Sequence, residues 1–212
     1  MNSTSAPLPT SEAKRLKVLW QYDLLDTLPE AVFDDLTELA ARICEAPIAM
    51  ISLIDEKRQW FKAKVGTTMT ETSRDISFCA HAILQPDLFI VRDALLDPRF
   101  AQNPMVVSEP KIRFYAGAPL VTADGYALGT LCIIDKVPRD LREEQKQALK
   151  ILARHVVSQL ELRRRTQELA TVKEEQKRLR AEIAKARSAL SKAKRPAPKT
   201  RPARKASARK RN

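Results

Sequence analysis

Cysteine is scarce in this sequence and spaced against the usual cysteine chemistries. Cys44, Cys79 and Cys132 are odd in number and form no CxxC pair. That excludes a disulfide framework and a zinc-finger pattern and fits a reducing, cytoplasmic compartment. Long apolar runs are missing too. No stretch approaches the roughly 20 residues that cross a bilayer, and residues 1–10 are polar with two prolines, unlike a secretory leader. No membrane insertion is expected. Gly125 and Gly129 have neither Walker nor GxGxxG spacing, so they form no phosphate cradle. Acidic residues are absent from 187–212, which holds 11 of the 38 Lys and Arg, leaving 27 basic against 26 acidic residues before it. The net charge of +12 therefore belongs to the tail. A basic folded surface for nucleic acid is not implied, whereas a basic tail able to touch a polyanion is.

What is present divides the chain into four parts. Residues 1–11 are rich in Ser, Thr and Pro and are expected to be disordered. A folded domain is expected over 12–160. Ser11 is placed to cap a helix running to about Leu25, and the turn Asp26–Pro29 interrupts it. Phe33, Leu36, Leu39, Ala40 and Ile43 recur at helical spacing over 30–44. The period then changes. Ile48 to Ile54 is a nearly continuous apolar run, as in a buried strand. Gln59 to Val65 alternates as its hairpin partner, predicting Phe61, Ala63 and Val65 on one face and Trp60, Lys62 and Lys64 on the other. Residues 66–74 read as a loop, 77–84 as a short helix, 88–91 as a strand and 93–110 as a loop. Phe114–Val121 and Ala127–Ile134 read as strands joined around Asp124-Gly125, a strong hairpin signal. Helices, then an antiparallel sheet, then a helix make an α+β arrangement.

From Leu141 to Arg195 there is neither Gly nor Pro, predicting a helix of about fifty residues. Leu149, Leu152, Val156 and Leu160 form its first stripe. Over 161–193, Leu169, Val172, Gln176, Leu179, Ile183, Ala186 and Leu190 follow a strict 3,4 spacing, predicting a dimeric coiled coil. The competing reading is a single solvated helix held by pairs such as Glu174–Arg178. Pro196, Pro198 and Pro202 end the helix. The tail 194–212 offers no residue larger than Ala to a core and is expected to be disordered. Its Lys194, Arg195, Lys199, Arg201, Arg204, Lys205, Arg209, Lys210 and Arg211 are candidates for binding nucleic acid or another polyanion without sequence specificity. The alternative is a solubilising extension.

Six segments in order resemble the GAF domains of bacterial signalling proteins: LLDTLPEAVFDDLTELAARIC (24–44), PIAMISLIDEKRQWFKAKVG (47–66), RDISFCAHAI (74–83), VRDALLDPRFAQNPMV (91–106), IRFYAGAPL (112–120) and LGTLCIIDKVPRDL (128–141). The resemblance implies a central antiparallel sheet with the terminal helices on one face. Loops and short helices enclose a pocket on the other, and the terminal helices dimerise. It places the pocket at 74–83 with the loops around 93–100 and 112–115.

The ligand-binding candidates there are Arg74, Ser77, Cys79, His81, Asp93, Arg99, Arg113 and Tyr115. Arg74 or Arg113 is suited to a carboxylate or phosphate. The competing reading ties these residues to the sheet as turn caps and salt bridges. Cys79 and His81 lie two apart, which on a helix turns them away from each other. Bilin attachment is disfavoured because Ala80 separates them, where photoreceptor GAF domains have the pair adjacent. Nor do the motifs match the branch that reduces free methionine sulfoxide. Cys44 and Cys132 read as core residues and His155 as a surface or packing residue. No catalytic residue, metal site or identifiable cofactor is expected. The leading reading is a non-catalytic sensor that binds a small molecule and relays its state through a dimeric helix to a signalling partner or the tail. The rivals are a dimerisation scaffold with a polyanion-binding tail, and a redox enzyme using Cys79.

Overall fold

The computed structural model describes residues 5–193. The nine basic tail residues named above lie outside them. The described chain divides into a compact unit ending at Thr166 and a second unit beginning at Gln167.

Helices α1 (Glu12–Gln21) and α2 (Ala31–Cys44) open the first unit. α1 ends earlier than the periodicity suggested, because Asp23 and Asp26 take left-handed φ values of 48° and 60°. Ser11 supplies no side-chain cap. Ahead of α1, Ala6 packs on the core and Ser5 Oγ donates to Asp75 Oδ1 at 3.2 Å.

The strands are β1 (Ile48–Ile54), β2 (Arg58–Val65), β3 (Glu71–Ser73), β4 (Phe89–Val91), β5 (Phe114–Val121) and β6 (Ala127–Asp135). They form one antiparallel sheet in the order β3-β2-β1-β6-β5-β4. β1 is buried along its whole length because both faces of the sheet are covered. The alternation that follows is clean: Ala49, Ile51 and Leu53 enter one apolar layer, Ile48, Met50 and Ile54 the other.

β2 departs from the predicted alternation. Ile51 pairs with Ala63 and Ser52 with Phe61, leaving Lys62 as the extra residue of a β-bulge. Trp60 and Ala63 therefore pack on the helix face, and Phe61 on the opposite one. The Lys62 side chain is fully buried. Its ammonium donates to Thr27 Oγ1 at 2.9 Å, the Leu28 carbonyl at 2.8 Å and Glu30 Oε1 at 2.6 Å. The α1–α2 connection thus captures this charge in the interior.

α5 (Glu143–Ala193) begins in the first unit, where Leu149, Leu152, Val156 and Leu160 are buried with α1 and α2 against the sheet. Arg163 donates to the carbonyls of Tyr22 and Asp23 and to Glu30, and Tyr22 donates to Glu161. The second unit is the helix from Gln167. Its Leu169, Val172, Leu179, Ile183 and Leu190 are about half exposed. Ion pairs there join Glu174 to Lys177 and Arg178 to Glu182, rather than Glu174 to Arg178. No helix among the described residues is long and apolar enough to cross a membrane.

Candidate functional site

The sheet face opposite α1, α2 and α5 is covered by short pieces held by specific caps. A 3₁₀ turn spans Arg74–Ile76, followed by α3 (Phe78–Ala82) and, further on, α4 (Pro104–Val107). Ser77 starts α3 by accepting the Ala80 N–H at 3.0 Å. Asn103 starts α4 by accepting the Met105 N–H at 2.9 Å, with Pro104 at the first helical position. The Asn103 amide also donates to the Ile76 carbonyl at 2.9 Å, binding the two pieces together.

Between this cover and the sheet lies a cavity of about 110 Å³. Ile48, Met50, Gln59, Phe61, Tyr115 and Ile134 line it from the strands. Thr72 of β3 lines it too, and Gly66, Thr67, Met69, Ile76, Ser77, Phe78, Cys79, Met105, Pro110, Ile112 and Lys136 complete the wall. The lining is mainly apolar with a few polar groups, the usual form of a small-ligand site. The chain's three internal methionines all line it. Thioether side chains are flexible and polarisable, so this wall adapts its shape.

A polar cluster lies beside the cavity. Ser52 and Thr130 face each other across β1 and β6, with their hydroxyl oxygens 3.2 Å apart. The Tyr115 hydroxyl donates to Cys79 Sγ at 3.2 Å, and Cys79 Sγ lies 3.7 Å from Cys132 Sγ. All five residues are at most 1% exposed. Burial pushes the Tyr115 phenol well above its ordinary pKa, and its thiol neighbours add to the shift. Gly117 makes this placement feasible: a Cβ there would stand 2.2 Å from the Tyr115 hydroxyl. Around the cluster, Phe78 stacks on Phe100 at 4.0 Å, and His81 meets Phe100 edge-on at 4.8 Å.

Of the eight expected ligand residues, Ser77, Cys79 and Tyr115 line this cavity and the other five do not. Arg74 is buried, donating to Glu12 Oε1 at the start of α1 at 2.5 Å and to the Asp55 carbonyl at 3.0 Å. Arg113 grips Asp93 with two bonds of 2.8 and 2.7 Å, and this guanidinium holds the Asp93 carboxyl below its ordinary pKa. Arg99 pairs with Asp97 at 2.6 Å and lies over the Phe89 ring at 4.8 Å. His81 is buried in the aromatic layer. For Arg74, Arg99, Arg113 and Asp93 the geometry is that of salt bridges. Sequence reasoning missed Gln59, Lys136 and the methionines. Gln59 sits in an alternating strand like any surface glutamine, yet it accepts from Ser77 in the interior. The methionines carried the one usable signal, their rarity.

Comparison with known proteins agrees with this architecture. A cyclic di-GMP phosphodiesterase of Pseudomonas aeruginosa is 45% identical over 161 residues, 76% of this chain and 27% of that protein. The chain thus spans about a quarter of that relative's length. Two solved structures share the fold. The GAF domain of an Acinetobacter phosphoenolpyruvate-protein phosphotransferase has a TM-score of 0.53 at 16% identity, covering 72% of this chain and 94% of that one. The type II free methionine-R-sulfoxide reductase of Thermoplasma acidophilum has a TM-score of 0.51 at 14% identity, covering 61% and 90%. Residues 28–160 match the GAF domain family. With six segments in order, the sheet and its two covered faces, and a family match over most of the chain, this protein belongs to the GAF domain family.

Proposed function

We propose that this chain is a regulatory GAF module that binds a small molecule in the 110 Å³ cavity and passes its occupancy to α1 and α5. The observation that carries the reading is the methionine-walled cavity itself. An apolar cavity of about 150 Å³ admits benzene, so in this conformation the ligand is no larger than a single small ring. A cyclic dinucleotide far exceeds that volume. The similarity to part of a cyclic di-GMP phosphodiesterase therefore supports a setting in second-messenger signalling, and does not make the dinucleotide the cavity's ligand.

A regulatory rather than catalytic role is supported by the charged residues nearby, which are engaged with one another: Arg74 with Glu12, Arg113 with Asp93, Arg99 with Asp97. The first of these pairs is also the route outward. Ile76 and Ser77 line the cavity, and Arg74 of the same turn holds the first turn of α1. A ligand that prefers one position of this turn shifts the population of α1 arrangements by its differential affinity. The exposed stripe Leu169, Val172, Leu179, Ile183 and Leu190 supports a second copy of the chain as the partner that reads the shift.

Native mass spectrometry of the full chain purified from its host tests both parts. The expected result is a dimer carrying a small retained mass, absent from the Thr72→Phe variant, whose ring fills the cavity. A wild-type chain that is monomeric and empty overturns the reading.

A further inference from the structure

The polar cluster beside the cavity does something that packing does not require. Ser52, Thr130, Tyr115, Cys79 and Cys132 sit at the centre of the sheet, where apolar residues of similar volume would fill the space without a hydrogen-bonding requirement. Instead, hydroxyls converge on one sulfur. Tyr115 donates to Cys79 Sγ at 3.2 Å, and the Thr130 hydroxyl, 3.5 Å from that of Tyr115, extends the network to Ser52. Cys132 Sγ is 3.7 Å from Cys79 Sγ, and only Cys79 of the two lines the cavity.

We propose that Cys79 and Cys132 are a peroxide-oxidisable dithiol at the inner wall of the cavity, with Cys79 the attacking and Cys132 the resolving sulfur. The cavity is roomy for hydrogen peroxide, a molecule of about two waters' bulk at roughly 30 Å³ each. The Cys79 thiolate attacks one peroxide oxygen. The S–O bond forms as the O–O bond breaks, giving a sulfenic acid and hydroxide. The Cys132 sulfur then attacks the sulfenyl sulfur, losing its proton as it does so. The S–S bond forms, the S–O bond breaks, and the departing hydroxide takes up the proton Cys132 gave up. In sum, two thiols and one peroxide give a disulfide and two waters, the peroxide being reduced. Closing the sulfurs from 3.7 Å to about 2.05 Å draws α3 toward β6 and reshapes the cavity wall that Ser77 and Cys79 provide. The electrostatics agree. Burial raises the Cys79 thiol, but hydrogen bonds from Cys132, Ser52, Thr130 and Tyr115 outweigh it and bring it below its ordinary pKa. Burial with no such donors pushes Cys44 up to about 11. The inference uses the cavity of the proposed function but not its occupancy by a ligand, so either can fail alone.

The full chain is treated with hydrogen peroxide and mapped by mass spectrometry without reduction. The expected product is a Cys79–Cys132 cross-linked peptide with Cys44 still free, Cys79 reacting at least about tenfold faster than Cys44 because the thiolate is the nucleophile. The rate rises with pH and levels off below the ordinary thiol value of about 8.5. Cys132→Ser stops at a sulfenic acid on Cys79 that dimedone traps, and Cys79→Ser leaves Cys132 unmodified. Sulfoxides on Met50, Met69 and Met105 report that peroxide has entered. Sulfoxides without the cross-link overturn the proposal, as does a cavity in which neither sulfur type reacts.

Discussion

The two faces of the sheet are built on different principles. On one, α1, α2 and the start of α5 are regular helices, and the layer beneath them is largely aliphatic: Leu16, Leu19, Ile51, Leu53, Leu131, Leu149 and Val156, with Tyr22, Phe33, Trp60 and Phe114 among them. On the other, a 3₁₀ turn and two helices of five and four residues are held by the caps Ser77 and Asn103. The layer beneath contains an aromatic group, a polar cluster and the cavity. Long helices gain stability by burying an apolar stripe. Short capped pieces gain little that way and are held by a few polar contacts, so they move at lower cost. The helix face carries the fold, and the capped face carries the proposed response.

Side-chain truncation on the two faces should give the widest difference in stability. Phe33→Ala on the helix face is expected to cost about 3–5 kcal/mol, whereas Met50→Ala, beside space that already exists, should lie near the low end of about 2–5 kcal/mol for such changes. Equal losses in denaturant titration would dissolve the distinction.

The next effect concerns the link between the faces. Glu12 lies between Arg15 and Arg74, at 2.7 and 2.5 Å. Burial alone would raise its carboxyl, but the hydrogen bonds and charges of Arg15 and Arg74 outweigh it and lower it from 4.5 to about 2. A carboxyl depressed in the folded state contributes fully above its unfolded value and loses that contribution as pH falls. Wild type should therefore lose this stability between pH 4.5 and about 2. Glu12→Gln, which leaves two buried guanidiniums short of a partner, is expected to cost about 3 kcal/mol at neutral pH and to flatten that acid limb. Thermal melts across the pH range check both.

The smallest effect isolates the polar cluster. Gly117→Ala places a methyl 2.2 Å from the Tyr115 hydroxyl and should cost about 1–3 kcal/mol by overpacking. It should also turn the phenol away from Cys79, slowing peroxide oxidation of that sulfur. An unchanged rate would detach Tyr115 from the proposed thiol chemistry.

Most of the element order was legible because helical and strand periods are local. IAMISLI read as a buried strand and is one, and Gly125, at φ 83° in the β5–β6 turn, was signalled by the Asp-Gly pair. The three-residue β3 was not legible, since its Glu, Thr and Ser are largely exposed and form an edge with no apolar pattern. Nor was α4, whose signal is one Asn-Pro cap in a loop. The bulge at Lys62 was hidden for a different reason. Alternation assumes an unbroken register, and one extra residue turned Phe61 away from Ala63.

The α+β order, the antiparallel hairpins, the apolar stripe of α5 and three cysteines outside any disulfide framework follow from local sequence. Each depends on neighbours within a few positions. Only the tertiary structure decided which polar groups face the cavity. Arg74 is claimed by Glu12, 62 residues away, and Cys79 meets Cys132 across 53 residues. A charged or thiol side chain takes the nearest partner that offsets its desolvation, and that partner is chosen by the packing of the sheet, which no local period encodes.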